Sequence, residues 1–227
     1  MKIYALSDLH GYLPTDIPEC DVVVIAGDIL PLQIQNMIYF SKDWILTDFQ
    51  TWCESLPCKK VFVTPGNHDF CFENYGHIIE NNDKVIVLIN EGYTFDGVVF
   101  YGCPVTEMKT AWAFRREKYI TYKKLIKGNI DVLICHQPPK YKGLGKIGYL
   151  PNKFKPHKGN DLDLGSLELF KIIKEIKPQL VVCGHIHTGN HDIVEYESIK
   201  FINASVKDDN YDVAYKTKLI DINNVKI

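Results

Sequence analysis

Apolar residues along this chain gather in short runs: Ile3 to Leu6, Val22 to Ala26, Val61 to Val63, Val85 to Ile89, Val98 to Tyr101, Val132 to Cys135, Leu180 to Cys183 and Phe201 to Ile202. Each is rich in β-branched residues and closed by Gly, Asp, Asn or Pro, which predicts strands, several of them buried on both faces. Between the runs the apolar spacing turns helical. From Met37 to Leu56 the residues Phe40, Trp44, Ile45, Phe49, Trp52 and Leu56 keep a helical period until Pro57 stops it, and the four aromatics are read as core. A second helix is predicted from Leu167 to Ile176, with Leu169, Ile172, Ile173 and Ile176 on one stripe and Pro178 beyond. A weaker pattern covers Arg116 to Ile126 and ends at Gly128. Strands alternating with helices predict an α/β fold.

Length and charge narrow the picture. The 227 residues suit a single α/β domain spanning 1–227, and 26 Lys plus Arg against 28 Asp plus Glu leave no excess charge for an extended nucleic-acid surface. Arg115 and Arg116 are the only arginines, so any bidentate clamp on a phosphate has to come from that pair. Seven cysteines, with Cys135 and Cys183 closing apolar runs, fit a reduced cytosol better than a disulfide framework. The chain reaches a candidate functional Asp at position 8 too early for a signal peptide, and no apolar run spans a bilayer. A soluble, cytoplasmic protein without membrane partners is expected.

The chemistry lies where the strands end. The first run ends in Ser7-Asp8-Leu9-His10, the second in Gly27-Asp28 and the third in Gly66-Asn67-His68-Asp69; later runs end in His136-Gln137-Pro138-Pro139 and Gly184-His185-Ile186-His187. A turn needs Gly66 but has no use for His68. In open α/β sheets the carboxyl ends of the strands form the ligand crevice, so these distant residues are expected to converge. In Asp8-Leu9-His10 and His185-Ile186-His187 an extended chain would face both polar side chains one way and the apolar one the other. Asp8, His10, Asp28, Asn67, His136, His185 and His187 are too many ligands for one ion but suit two, with Asp28 as the natural bridge. Mixed imidazole and oxygen donors without cysteine favour two divalent transition metals, Mn, Fe, Zn or Co, with Mn the ion expected to load in vitro. Two divalent ions set against two carboxylates and a bridging hydroxide leave roughly one net positive charge, which suits a small phosphate ester.

In order and spacing these motifs resemble those of the calcineurin-like metallophosphoesterases: D-x-H, G-D, G-N-H-[D/E], H and G-H-x-H. The resemblance implies a four-layer αββα sandwich. It assigns Asp8, His10, Asp28 and His187 to one metal and Asp28, Asn67, His136 and His185 to the other. His68 is then a histidine beside the phosphate, oriented by a carboxylate that Asp69 could supply, and Asn67 and His68 contact substrate. Tyr101-Gly102-Cys103-Pro104, Ala111-Trp112-Ala113-Phe114, Gly165-Ser166 and Asn203-Ala204-Ser205 further resemble a small branch related to class III cyclic-nucleotide phosphodiesterases. Ile29-Leu30-Pro31-Leu32 stands where that branch has a polar segment, and Gln137 to Gly165 is enlarged.

The resulting expectation is a dinuclear phosphohydrolase, a phosphodiesterase before a monoesterase, in which a bridging hydroxide attacks phosphorus in line and His68 protonates the leaving oxygen. The chain lacks the Asp-Arg-Gly of the superfamily's protein phosphatases after its second motif. A scaffold that had lost the chemistry would have no use for seven buried polar ligands. His77, His157 and His191 have no partner motif and read as surface residues. The lysines between Gln137 and Gly165 (Lys140, Lys142, Lys146, Lys153, Lys155 and Lys158) are either solvated or guides for an anionic substrate.

Overall fold

A computed structural model describes residues 1–76, 78–79, 83–117, 119–147 and 162–222. The first sheet holds β1 (Lys2–Leu6), β2 (Val22–Ala26), β3 (Lys60–Thr64) and β4 (Val85–Val87) in parallel, with β11 (Leu219–Asp221) antiparallel along the outer edge of β1. The second holds β6 (Val98–Cys103), β7 (Val132–Cys135), β8 (Leu180–Cys183) and β10 (Ile199–Asn203) in parallel, edged by antiparallel β5 (Glu91–Phe95) and β9 (Val194–Tyr196). The strands whose ends carry candidate ligands, β1, β2 and β3 in one sheet and β7 and β8 in the other, are thus parallel to one another within each sheet, and their carboxyl ends share one side.

Alternation along the strands decides the layers. Ile3, Ala5, Val22, Val24 and Ala26 face Phe100, Val132, Ile134, Val182 and Ile202 in one core between the sheets, with Phe62 stacked on Phe100 at 4.3 Å. The opposite faces are covered by helices. Leu6, Val23 and Ile25 pack beneath α1 (Ile38–Trp44), α2 (Gln50–Ser55) and α3 (Phe70–Tyr75), while Leu133, Val181 and Phe201 pack beneath α4 (Tyr122–Leu125) and α5 (Leu167–Ile176). Helix, sheet, sheet and helix make the four-layer αββα sandwich expected from the motifs.

Several elements differ from their sequence pattern. The run from Met37 to Leu56 is helical from Ile38 to Ser55, but a π-helical turn, Ile45–Phe49, joins α1 to α2. Phe40 is 58% exposed rather than core. Counted at about 100° per residue it falls well outside the stripe of Ile45, Phe49, Trp52 and Leu56. The helix expected from Arg116 shrinks to α4, and the strand expected to Ile89 ends at Val87. Strands β5, β9 and β11 are edge strands that lack a full apolar run. For β5 a signal was present in Asp96-Gly97, the hairpin turn to β6, where both residues have positive φ.

The stretch from Gln137 to Gly165 is less irregular than expected where it is described. Pro139 pairs with Ser166 and Lys146 with Asp163, and Ile147 donates to the Leu162 carbonyl. His77, His157, Lys153, Lys155 and Lys158 lie outside the described residues.

Candidate metal centre

The centre is assembled by backbone that leaves its strands abruptly. Asp8, His10, Asp28 and His185 all have left-handed φ, at 54°, 43°, 54° and 70°. Such a conformation costs a non-glycine residue roughly 1–3 kcal/mol and persists where surrounding structure over-determines it. Here the loops after β1 and β2 lock together: Asp8 N–H donates to Gly27 O, His10 N–H to Asp28 O and Gly11 N–H to Ile29 O, each at 2.9 Å. Asp8 and His10 do turn to one side while Leu9 is buried in the core, but by this left-handed kink and not by extended-chain alternation. Glycines let the ligands approach. A Cβ on Gly184 would lie 1.9 Å from Ser7 Oγ and 2.3 Å from Asp8 Oδ2, and one on Gly27 would lie 2.3 Å from His136 Nδ1.

Two ligand groups result. Donor atoms of Asp8, His10 and His187 lie within 4.8 Å of one another, as do those of Asp28, His136 and His185. Asp28 stands between the groups, its Oδ2 3.2 Å from His136 Nε2 and 3.9 Å from His10 Nε2. Asn67 Oδ1 is 3.0 Å from His136 Nε2 and so joins the second group. His136 Nδ1 donates to Ala26 O at 2.7 Å and His187 Nδ1 to Asp208 O at 2.8 Å, which fixes each ring with Nε2 turned inward. His10 is buried, yet neither ring nitrogen has a hydrogen-bond partner among the described residues. An imidazole left bare in this way costs stability unless something ligates it. The donor set, its division in two and the orphaned His10 all fit a pair of divalent ions.

Charges within the centre are strongly coupled. Burial pushes the pKa of His10 down to about 4 and that of His185 to about 3. Burial alone would raise Asp8, but the hydrogen bond and charge of His187 hold it at about 2. Asp28 is likewise held well below the usual carboxylate range, burial being outweighed by the charge and hydrogen bond of His136. Against the opposing effect of burial, His136 is raised to about 9 by the Asp28 charge and His187 to about 9 by its Asp8 hydrogen bond.

A family model described as calcineurin-like phosphoesterase matches residues 1–189. The chain belongs to the calcineurin-like phosphoesterases. Metallophosphoesterase domain-containing protein 1 of Homo sapiens is 26% identical over 250 residues, taking in 97% of this chain and 71% of that protein. An uncharacterized protein of Methanocaldococcus jannaschii is 29% identical over 198 residues, 82% of this chain and 80% of its own. One solved crystal structure superposes with a TM-score of 0.60 at 17% identity, covering 89% of each chain, and shares the fold. The protein is thus a metal-dependent phosphoesterase. No helix among the described residues is long and apolar enough to cross a membrane.

In this phosphoesterase His68 stands beside the ligand groups, its Nε2 3.8 Å from Asp28 Oδ2 and its backbone N–H donating to Asp28 Oδ1 at 2.8 Å. Asp69 does not orient it. The buried Asp69 carboxylate accepts backbone N–H groups from Ile29 at 2.9 Å, Leu30 at 3.0 Å and Gly66 at 2.7 Å, tying the loop after β3 to the loop after β2. Burial and the nearby Asp28 charge raise its pKa to about 7, against the opposing pull of those N–H donors. The partner of His68 Nδ1 is Gln35 Oε1. Trp112 packs on the His68 ring with centroids 4.4 Å apart, and the Tyr211 ring meets His10 edge-on at 4.8 Å.

Asp28, Asn67, His68, His185 and His187 open into a cavity of about 350 Å³ whose outer wall includes Met108, Trp112, Ile147, Thr188, Asp209 and Tyr211. The arginines point elsewhere: Arg116 pairs with Glu107 and Glu168, and Arg115 with Glu117. Lys140, Lys142 and Lys146 are not among the residues lining the cavity. His191, read from sequence as a surface residue, is half-buried behind the centre. Its ring nitrogens face the carbonyls of Asn203 and His187 at 3.2 and 2.8 Å, and it stacks on Tyr215 at 3.7 Å. Gln35, Tyr211 and His191 carry no motif that marks them. Trp112 belongs to Ala111-Trp112-Ala113-Phe114, a stretch whose resemblance assigns it no role.

Proposed function

We propose that this phosphoesterase hydrolyses a small phosphodiester, nucleotide-type or otherwise, with Asp8, His10, Asp28 and His187 holding one divalent transition metal and Asp28, Asn67, His136 and His185 the other. The carrying observation is Asp28 standing between two buried ligand groups with His68 at their edge. Two such ions supply a water of lowered pKa and Lewis-acid charge for the phosphoryl oxygens. Mn, Fe, Zn or Co suits the imidazole and oxygen donors.

The chain's own residues do the rest. Asp8 and Asp28 are kept ionised, and the backbone bonds of His136 and His187 aim both rings. Asn67 and His68 meet the phosphate, and His68 Nε2 gives a proton to the leaving oxygen. A diester is favoured over a monoester because a dianionic phosphoryl group is commonly gripped by arginine, and both arginines here are engaged in ion pairs. The Trp112 and Met108 wall suits a compact organic group on the ester.

General-acid help is worth roughly 10² to 10⁴ in rate and matters only for a poor leaving group. In Mn-loaded protein His68→Ala should keep both metals, lose most activity on an alkyl or ribose diester, and lose far less on a p-nitrophenyl diester. Equal losses on both esters, or loss of metal, would show His68 to be a phosphate binder or a ligand. A monoester preferred over every diester tested would overturn the substrate class.

A further inference from the structure

We infer that Gln35 is the positioning residue for His68, fixing which ring nitrogen carries the resident proton; this rests on the general-acid reading of His68 proposed above. The family resemblance pointed to a carboxylate for this place, but Asp69 spends both oxygens on backbone N–H groups. Gln35 Oε1 meets His68 Nδ1 instead.

Its loop is built to hold it there. Gln35 N–H donates to Pro31 O at 3.1 Å, and Ile34 O accepts from Met37 N–H at 2.7 Å and from the buried Ser41 hydroxyl at 2.6 Å. Upstream, the same segment is anchored through Ile29 and Leu30 to Asp69. On its other sides the His68 ring is flanked by Trp112 at 4.4 Å and His10 at 4.9 Å between ring centroids, which narrows its room to turn away from Gln35.

An amide oxygen accepts but cannot donate, so the neutral ring keeps its proton on Nδ1 and leaves Nε2 facing Asp28 and the cavity. A carboxylate would orient the ring equally well but would add negative charge beside Asp8 and Asp28. The amide orients His68 and leaves the charge of the centre unchanged. In turnover the Nε2–H bond of the imidazolium breaks as the leaving oxygen takes the proton and keeps the P–O electron pair. The ring returns to the neutral Nδ1–H form that Gln35 holds.

The test reads the tautomer directly. In ¹⁵N-labelled, Zn-loaded protein, long-range ¹H–¹⁵N correlation, with His68 identified by its loss in His68→Ala, should show the proton on Nδ1. Gln35→Leu should move it wholly or partly to Nε2, and Gln35→Glu should keep it on Nδ1. Gln35→Leu should also lower kcat on an alkyl diester by on the order of 10-fold or more, within the general-acid range, with little change on the p-nitrophenyl diester and almost no further loss in a His68→Ala background. Gln35→Asn, which keeps the amide but withdraws it by one methylene, should behave as Gln35→Leu and serves if the latter does not fold. An unchanged His68 tautomer in Gln35→Leu or Gln35→Asn, or a full additional loss on top of His68→Ala, would overturn the assignment. If His68→Ala slows both esters equally, the general-acid reading falls, while the tautomer measurement still decides the part played by Gln35.

Discussion

Removing the Asp69 carboxylate separates a catalytic dyad from a loop tie. Asp69 is fully buried, and its oxygens accept three backbone N–H groups, from Ile29, Leu30 and Gly66, at 2.7 to 3.0 Å. Each buried donor left without a partner costs about 1–3 kcal/mol, so Asp69→Ala, which orphans three, should lose on the order of 3–9 kcal/mol. The lower end applies, since the substitution also removes a charge that burial and Asp28 disfavour. Against a total stability of roughly 5–15 kcal/mol this is severe, and at about 2–4 °C per kcal/mol for a chain of this size Tm should fall by roughly 6–12 °C. Asp69→Asn is the gentler probe. Its amide oxygen can still serve Ile29 and Leu30, while its NH₂ meets the Gly66 N–H donor to donor, for a loss of about 1–3 kcal/mol. The assay is thermal unfolding of metal-loaded protein, paired with the ratio of alkyl-diester to p-nitrophenyl-diester rates. The loop tie predicts a lower Tm with that ratio near the wild-type value in the folded fraction. A wild-type Tm with a collapsed alkyl-diester rate would mean that Asp69 acts through His68 after all, and the hydrogen-bond assignment would be wrong.

Asp28→Asn should strip both ions, since Asp28 lies between the two ligand groups; elemental analysis that finds one ion retained would refute a shared bridge. Metal uptake should release protons. His136 and His187 are both raised from 6.5 to about 9, so each carries a proton at pH 7 in the metal-free protein, while a ligating imidazole must be neutral. Titration calorimetry at pH 7 in buffers of different ionisation enthalpy should report about two protons released per chain from these histidines, beyond the one from a metal-bridging water, with the histidine share falling as pH rises past 9 and apparent affinity increasing with pH up to that point. Release of no more than the one proton of a bridging hydroxide would show that these histidines are already neutral.

Much of the site is legible in the chain because the rule that gathers it is local. Apolar β-branched runs form parallel strands, and Asp8, Asp28, Asn67, His136 and His185 stand immediately beyond their carboxyl ends, so the sheets alone bring them to one side. The αββα layering was implied by the resemblance of the motifs, since strands buried on both faces require cover on both but do not by themselves choose two sheets over one. The edge strands β5, β9 and β11 escaped that reading, since an edge strand need bury only part of its surface and its sequence shows no continuous apolar run. The left-handed turns at Asp8, His10, Asp28 and His185 were invisible for another reason. Nothing in a non-glycine residue announces a positive φ; it is held by bonds between loops, from Asp8 to Gly27, from His10 to Asp28 and from the His185 N–H to the Asp8 carboxylate. Partner choice was the least legible of all. Asp69 neighbours His68 in sequence yet bonds Ile29 and Leu30, whereas His68 finds Gln35, 33 residues upstream. A polar side chain takes the donors that packing leaves unsatisfied within reach, and which groups those are is settled only when the loops of different strands have docked.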